Sequence, residues 1–351
     1  MKPSGVGGMA VIEGVMMRNK DEYAIAVRKP NNEIAIEKRQ FKSFSDKVKL
    51  FKLPIFRGML AFIESIIIGV KVLSFSADFF EDEEGENDQK VDENTDLVDS
   101  DDKNTSNVLM MITAVILSLF ITIALFMVLP VLVSSIFHRW IENRFWLTLL
   151  EGVIRIGIFI IYILLASRMR EIQRVFMYHG AEHKAINCIE HGFELKVENI
   201  KWQSKEHKRC GTSFMLFVMV ISLIVFILLP PLDIIPRIVS RILLVPIISG
   251  ISYEFIRFAG KTDNILVEFL SKPGMALQKI TTKEPDNEMI EVAIQSLEAV
   301  FDWKEFVEEV ATTKKPVPCF NIAEPEKVEE EPDTQEGEED DILLALDKYL
   351  D

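Results

Sequence analysis

The chain has 351 residues, enough for two or three domains, with a formal net charge of −15 and 49% apolar residues. The negative charge is local: residues 81–102 hold twelve acids against one lysine, and 324–351 hold thirteen acids. Without them a basic remainder is left, with no basic, aromatic-interleaved surface of the kind that binds nucleic acid, and three cysteines are too few for a disulfide framework.

The N-terminus, Met1-Lys-Pro-Ser-Gly-Val-Gly-Gly, lacks the basic region and apolar stretch of a signal peptide. Residues 5–40 read as a small sheet: the run Met9–Arg18 is apolar and punctuated by glycine. Two alternating segments, 23–29 and 33–39, flank the turn signal Pro30-Asn31-Asn32. Leu53–Phe80 is apolar but carries Arg57, Glu64, Lys71 and Asp78, and reads as an amphipathic or interfacial helix. Residues 81–106 form an acidic, disordered linker.

Four stretches reach bilayer length, about 108–137, 145–166, 213–233 and 237–260. The predicted fold is therefore an α-helical polytopic membrane protein with about four transmembrane helices and a small N-terminal β-containing cytoplasmic region. Its divisions are 1–80 (N-terminal cytoplasmic region), 81–106 (linker), 107–270 (membrane domain), 271–312 (C-terminal amphipathic helices) and 313–351 (acidic disordered tail). The loop 167–212 carries nine lysines and arginines, against two in each of the short loops near 138–144 and 231–241. By the positive-inside rule that loop and both termini face the cytoplasm. Such a surface suits anionic lipid headgroups, and the apolar patch at 342–350 in the acidic tail suits a protein partner. Glu151 and Arg155 are spaced to pair within the second span, while Glu13 and Glu64 read as packing or capping residues.

The chemistry concentrates in one place. Four of the five histidines and two of the three cysteines fall between 179 and 210. His179-Gly-Ala-Glu182-His183 places two imidazoles one helical turn apart, able to share one metal ion, with a carboxylate on the same face. The order H-x-x-E-H is that of the inverzincins, in which the glutamate acts as base. The apolar spacing beyond Ser167 predicts that the second span continues out of the membrane through both histidines and stops at Gly192. His207 and Cys210 then sit just before the third span, at the same edge, and Glu254 lies near the end of the fourth. His179 and His183, completed by His207, Cys210 or Glu254, form a candidate zinc site, with Glu182 as the candidate catalytic base. Three protein ligands would leave an open, catalytic position, and four would close the site into a structural one.

The chain resembles the DUF1385, or YqhQ-like, family of bacterial membrane proteins. The resemblance is carried by Gly7-Gly-Met-Ala-Val-Ile-Glu-Gly-Val-Met-Met-Arg18, Arg57-Gly58 with Glu64, Glu151-Gly152 with Arg155, and Phe176-Met-Tyr-His-Gly-Ala-Glu-His-Lys184. His207-Lys-Arg-Cys-Gly-Thr-Ser-Phe214, Tyr253-Glu254 and Gln278-Lys-Ile-Thr-Thr-Lys-Glu-Pro285 extend it. Met9 stands where glutamine is expected, and Lys208 where proline is. The resemblance implies a metal-dependent protein of the bacterial inner membrane and brings no substrate. Two readings stand open: a zinc hydrolase acting on a membrane or peptide substrate at the cytoplasmic face, and a membrane scaffold or assembly factor with a structural His/Cys zinc site. A transporter is the weaker third reading, because no internal repeat is visible.

Overall fold

The structure is a computed structural model, and it describes residues 3–44, 48–85, 113–207, 209–230, 232–259 and 265–313. The expected disordered linker 81–106, from residue 86 onward, and the acidic tail beyond 313 lie outside the described residues.

The N-terminal sheet has four antiparallel strands in sequential order: β1 (Gly7–Val11), β2 (Gly14–Asn19), β3 (Glu22–Arg28) and β4 (Ile34–Gln40). The run 9–18, read from sequence as one segment, is a hairpin. Val11 pairs with Gly14 across a tight turn, and Glu13 takes the left-handed φ of 48° that the reversal requires. A Cβ on Gly14 would meet the Ala26 carbonyl, so that position tolerates no side chain. The expected turn at 30–32 forms, with Asn32 at φ 66° and its N–H bonded to the Lys29 carbonyl at 2.9 Å.

Strands β2 and β3 are buried on both faces, which explains their nearly continuous apolar composition. Val15, Met17, Ala24 and Ala26 point to one core, which also holds Tyr178, Ile186 and Ile189 of the helix α4 (Arg170–Glu190) and Met289, Ile290 and Leu297 of the later helix Asn287–Glu298. Val11, Met16, Tyr23, Ile25 and Val27 point to the other, against Ile68 and Val72 of α1 (Phe56–Gly85).

Five helices, one more than expected, are long and apolar enough to cross a membrane. They are α1 over Phe56–Phe80, α2 (Thr113–Arg139), α3 (Arg144–Ala166), α6 (Gly211–Leu228) and α7 over Ile234–Phe258 of Ile234–Ala259. The addition is α1. Its charges, Arg57, Glu64, Lys71 and Asp78, recur every seven residues, so they share one stripe and leave the rest of the surface apolar. The fold is that of a helical, multi-pass membrane protein in a lipid bilayer environment. Between the membrane helices lie α4 and the short α5 (Val197–Lys201), and after them come α8 (Ile265–Thr281), α9 (Asn287–Glu298) and α10 (Trp303–Thr313).

A second correction concerns the continuous helix expected from 145 to 192. The chain breaks at Ser167–Met169, where Met169 is extended (φ −73°, ψ 135°), and Gln173 donates to the freed Ser167 carbonyl at 3.1 Å. α4 is therefore a separate helix, free to leave the line of α3 and pack under the sheet. Its end falls where expected, with Gly192 at φ 83° two residues past Glu190. In the membrane region the Glu151–Arg155 pair forms at 3.1 Å. It is joined by Arg241 of α7, and both guanidinium groups stack on Phe226. Ser222 and the Phe126 carbonyl accept the remaining Arg155 donors, so this buried charge cluster fastens α2, α3, α6 and α7 together.

Candidate metal centre

Helix α4 is buried almost all round from Tyr178 to Glu190, although its sequence is polar. A buried polar helix needs a partner for each polar group, and most of those partners are backbone carbonyls of neighbouring segments. Lys184 donates to the Lys201 carbonyl at 2.7 Å and pairs with Glu284. Asn187 donates to the carbonyls of Ser204 (2.7 Å) and Glu206 (3.1 Å). These bonds stitch the 197–207 loop onto the helix. Gln278 of α8 clamps the loop's other side, accepting from the His207 N–H and donating to its carbonyl, both at 2.8 Å.

The stitching places two carbonyls against the two histidines. His179 Nδ1 donates to the Thr281 carbonyl at 2.9 Å, and His183 Nδ1 donates to the Lys205 carbonyl at 2.6 Å. Each bond fixes the tautomer and leaves Nε2 with a free lone pair, the arrangement metal-binding histidines use. Gly180 makes the first contact possible, because a Cβ there would fall on the Lys283 carbonyl and push the 281–285 segment away from the helix.

The third member is Cys210. It caps the N-terminus of α6, and its Sγ accepts from the Thr212 N–H at 3.3 Å. Sγ stands 3.3 Å from His179 Nε2, and the ligand atoms of His179, His183 and Cys210 all lie within 4.8 Å of one another. Tetrahedral zinc, with bonds of about 2.05 Å to nitrogen and 2.3 Å to sulfur, sets N···S near 3.6 Å, close to the His179–Cys210 separation, and the three atoms are near enough to converge on one ion.

The remaining sequence candidates lie elsewhere. His207 is buried, and its ring is 5.7 Å from that of His183, but its Nε2 faces Glu190 at 3.5 Å. Glu254 is held bidentately by Arg57. Glu182 is 5% exposed, one turn from His179, with its carboxylate packed on Gly8 of β1. A Cβ on Gly8 would approach that carboxylate to 2.8 Å, so only glycine lets the strand lie this close. Burial pushes Glu182 up to about 7, against the opposing pull of His179 and the Gly8 N–H. Burial also lowers His183, which keeps the imidazole neutral and able to coordinate.

Glu190 belongs to this neighbourhood and escaped the sequence reading. It is fully buried, pairs with Arg209 and accepts from Ser4. Burial alone would raise its pKa, but the His207 hydrogen bond and the charges of Arg209 and His207 hold it below the ordinary carboxylate value. Seven residues beyond His183, it shares the histidine face, which was the signal available. Cys188, expected to be a free thiol or a ligand, is buried away from the centre with its thiol pushed up to about 12 by burial. Glu13 pairs with Arg174, and Glu64 accepts from Ser43 and the Phe44 N–H, packing and capping roles as expected.

The family model described as "Protein of unknown function (DUF1385)" matches residues 53–303. The protein YqhQ of Bacillus subtilis (strain 168), titled uncharacterized, is 33% identical over 298 residues, which is 84% of this chain and 91% of that relative. No solved structure matches. With the family model spanning most of the chain and the whole candidate centre, the protein belongs to the DUF1385 family.

Proposed function

We propose that this protein is a membrane-embedded metal-dependent enzyme, a zinc hydrolase whose centre lies at the cytoplasmic face of the bacterial inner membrane. The observation that carries the proposal is the convergence of His179, His183 and Cys210, with both imidazoles oriented through Nδ1 and a buried carboxylate of raised pKa one turn away. Imidazole and thiolate are the donors zinc prefers over magnesium or calcium. His179, His183 and Cys210 would hold the ion and leave its fourth position to water, and the ion would supply Lewis acidity there. Glu182, one turn from His179, would take up a proton at its carboxylate and return it to the leaving group. The surrounding core excludes bulk water and holds the imidazoles in one orientation.

The topology follows from parity. The sheet, α4 and α9 share one core and so lie on one side of the bilayer. An even number of crossings must then separate the sheet from α4, and α4 from α9. α6 and α7 supply the second pair. Of α1, α2 and α3 only two supply the first, and α1 is the helix whose second half is buried in the sheet. We therefore assign the crossings to α2, α3, α6 and α7, with α1 along the site-side face. The basic 167–212 loop puts that side in the cytoplasm.

The alternative is a scaffold or assembly factor with a closed zinc site, favoured by the buried His207 ring 5.7 Å from that of His183. Glu182→Gln separates the two. In the enzyme it keeps zinc and fold but abolishes complementation of a deletion strain. In the scaffold it is silent, and full complementation by a zinc-replete Glu182→Gln protein would refute the enzyme.

A further inference from the structure

A cavity of about 850 Å³ opens between β1 and β2, α1 and the site-side end of α7. That volume lies within the range of small-molecule sites. Its lining divides into two kinds of surface. Arg18, Lys20, Lys52 and Arg257 line it, and none of the four has an ion pair among the described residues. The other two cations on the wall are already neutralised, Arg57 by Glu254 and Arg209 by Glu190. The one carboxylate on the wall, Glu64, is occupied by Ser43 and the Phe44 N–H. Even with Glu64 charged and Arg257 acting on Glu254, the lining is net positive and suits an anion, and arginine with lysine matches the oxygens of a phosphate group.

The wall also carries an apolar surface, Met9, Met16, Phe51, Leu60, Ala61 and Ile68, beside the hydroxyls of Ser43, Ser65 and Tyr253. A free phosphate ion has no use for this surface. On the same helix Ile63, Ile66 and Ile67 are exposed, an apolar face directed away from the core. The cavity also borders the candidate metal centre. Gly8 is part of its wall and carries the Glu182 carboxylate against its backbone, and Arg209, another wall residue, precedes Cys210.

We propose that this cavity binds the head of a phosphorylated amphiphile, holding the phosphate on Arg18, Lys20, Lys52 and Arg257 and the first part of the chain on the α1 wall. It thereby names the substrate class of the neighbouring centre, a step that rests on the enzymatic reading above, whereas the binding itself does not.

The test is calorimetric titration of the full-length protein in detergent with dihexanoyl phosphatidic acid, dihexanoyl phosphatidylcholine and inorganic phosphate. Phosphatidic acid should bind at least tenfold more tightly than either of the others. Equal binding of inorganic phosphate would overturn the amphiphile, and equal binding of phosphatidylcholine would overturn the anion site. Lys52→Gln with Arg257→Gln should weaken phosphatidic acid binding by about tenfold or more, since each removes a charge-assisted contact. Ala61→Trp, which fills the cavity without altering charge, should also abolish it, with melting temperature confirming the fold of each variant. Unchanged binding in both would refute the site. His183→Ala should strip zinc and leave phosphatidic acid binding within about twofold. Wild-type protein that binds the lipid but no metal would sink the metal reading and leave this site standing, and protein that holds zinc but no lipid would do the reverse.

Discussion

Replacing Gly180 by alanine should damage the metal centre although residue 180 touches no ligand. On an open helix surface the change would stabilise by about 1 kcal/mol through helix propensity. Here the added methyl falls on the Lys283 carbonyl, and the 281–285 segment must retreat by about 1 Å. Two hydrogen bonds cross that contact, His179 Nδ1 to the Thr281 carbonyl at 2.9 Å and the Lys283 N–H to the Phe176 carbonyl at 2.8 Å. A retreat of that size takes both out of range. Overpacking costs about 1–3 kcal/mol and each of the two lost bonds about 0.5–1.5 kcal/mol, so the net destabilisation after the propensity gain is about 1–5 kcal/mol. Release of the His179 ring should cost about 10–100-fold in zinc affinity, the usual penalty for losing an orienting partner. The assay is zinc competition against a chromophoric chelator, with a thermal melt in parallel. Gly157→Ala in α3, where a Cβ meets nothing within 4 Å, is the control and should leave zinc affinity unchanged without lowering the melting temperature. A Gly180→Ala protein with wild-type zinc affinity would show that the Thr281 contact does not orient a ligand.

Three further outcomes follow from the same geometry. His179→Ala, His183→Ala and Cys210→Ala should each remove most of the zinc measured by elemental analysis, whereas Glu254→Gln should leave it, since Arg57 holds that carboxylate. Retained zinc in Cys210→Ala would remove the thiolate from the ligand set. Cys188, with its thiol pushed up to about 12 and buried, should resist alkylation at pH 8 in folded protein and react only on denaturation. Rapid native labelling of Cys188 would contradict its burial in the core that α4 shares with the sheet. Engineered cysteines at position 141 and at the exposed position 198 should label from opposite sides of the membrane, and labelling from one side would refute the proposed crossings.

The sequence carried the centre's donors but not what orients them. The i, i+4 spacing of His179 and His183 is a property of the helix and was readable, as was the thiol placed before the third apolar stretch. The carbonyls of Thr281 and Lys205 were not readable, because every residue offers a carbonyl and only the tertiary fold chooses which is used. Gly180 and Gly8 looked like ordinary glycines until the Lys283 carbonyl and the Glu182 carboxylate came to lie against them. The break at Ser167–Met169 was hidden because neither proline nor glycine marks it and the apolar spacing runs through. The hairpin within 9–18 was hidden for a different reason. Both faces of β2 are buried, so its sequence lacks the alternation that marks a half-exposed strand.

The most direct test of the metal centre is X-ray absorption at the zinc edge on purified full-length protein, with metal stoichiometry measured on the same sample. The account predicts close to one zinc per chain, with two imidazole nitrogens near 2.0–2.1 Å, one sulfur near 2.3 Å and one further light atom that exchanges with added anions. A shell of three imidazoles and one sulfur with no exchangeable position would contradict the open site and establish the closed one. Absence of any transition metal would contradict the centre altogether.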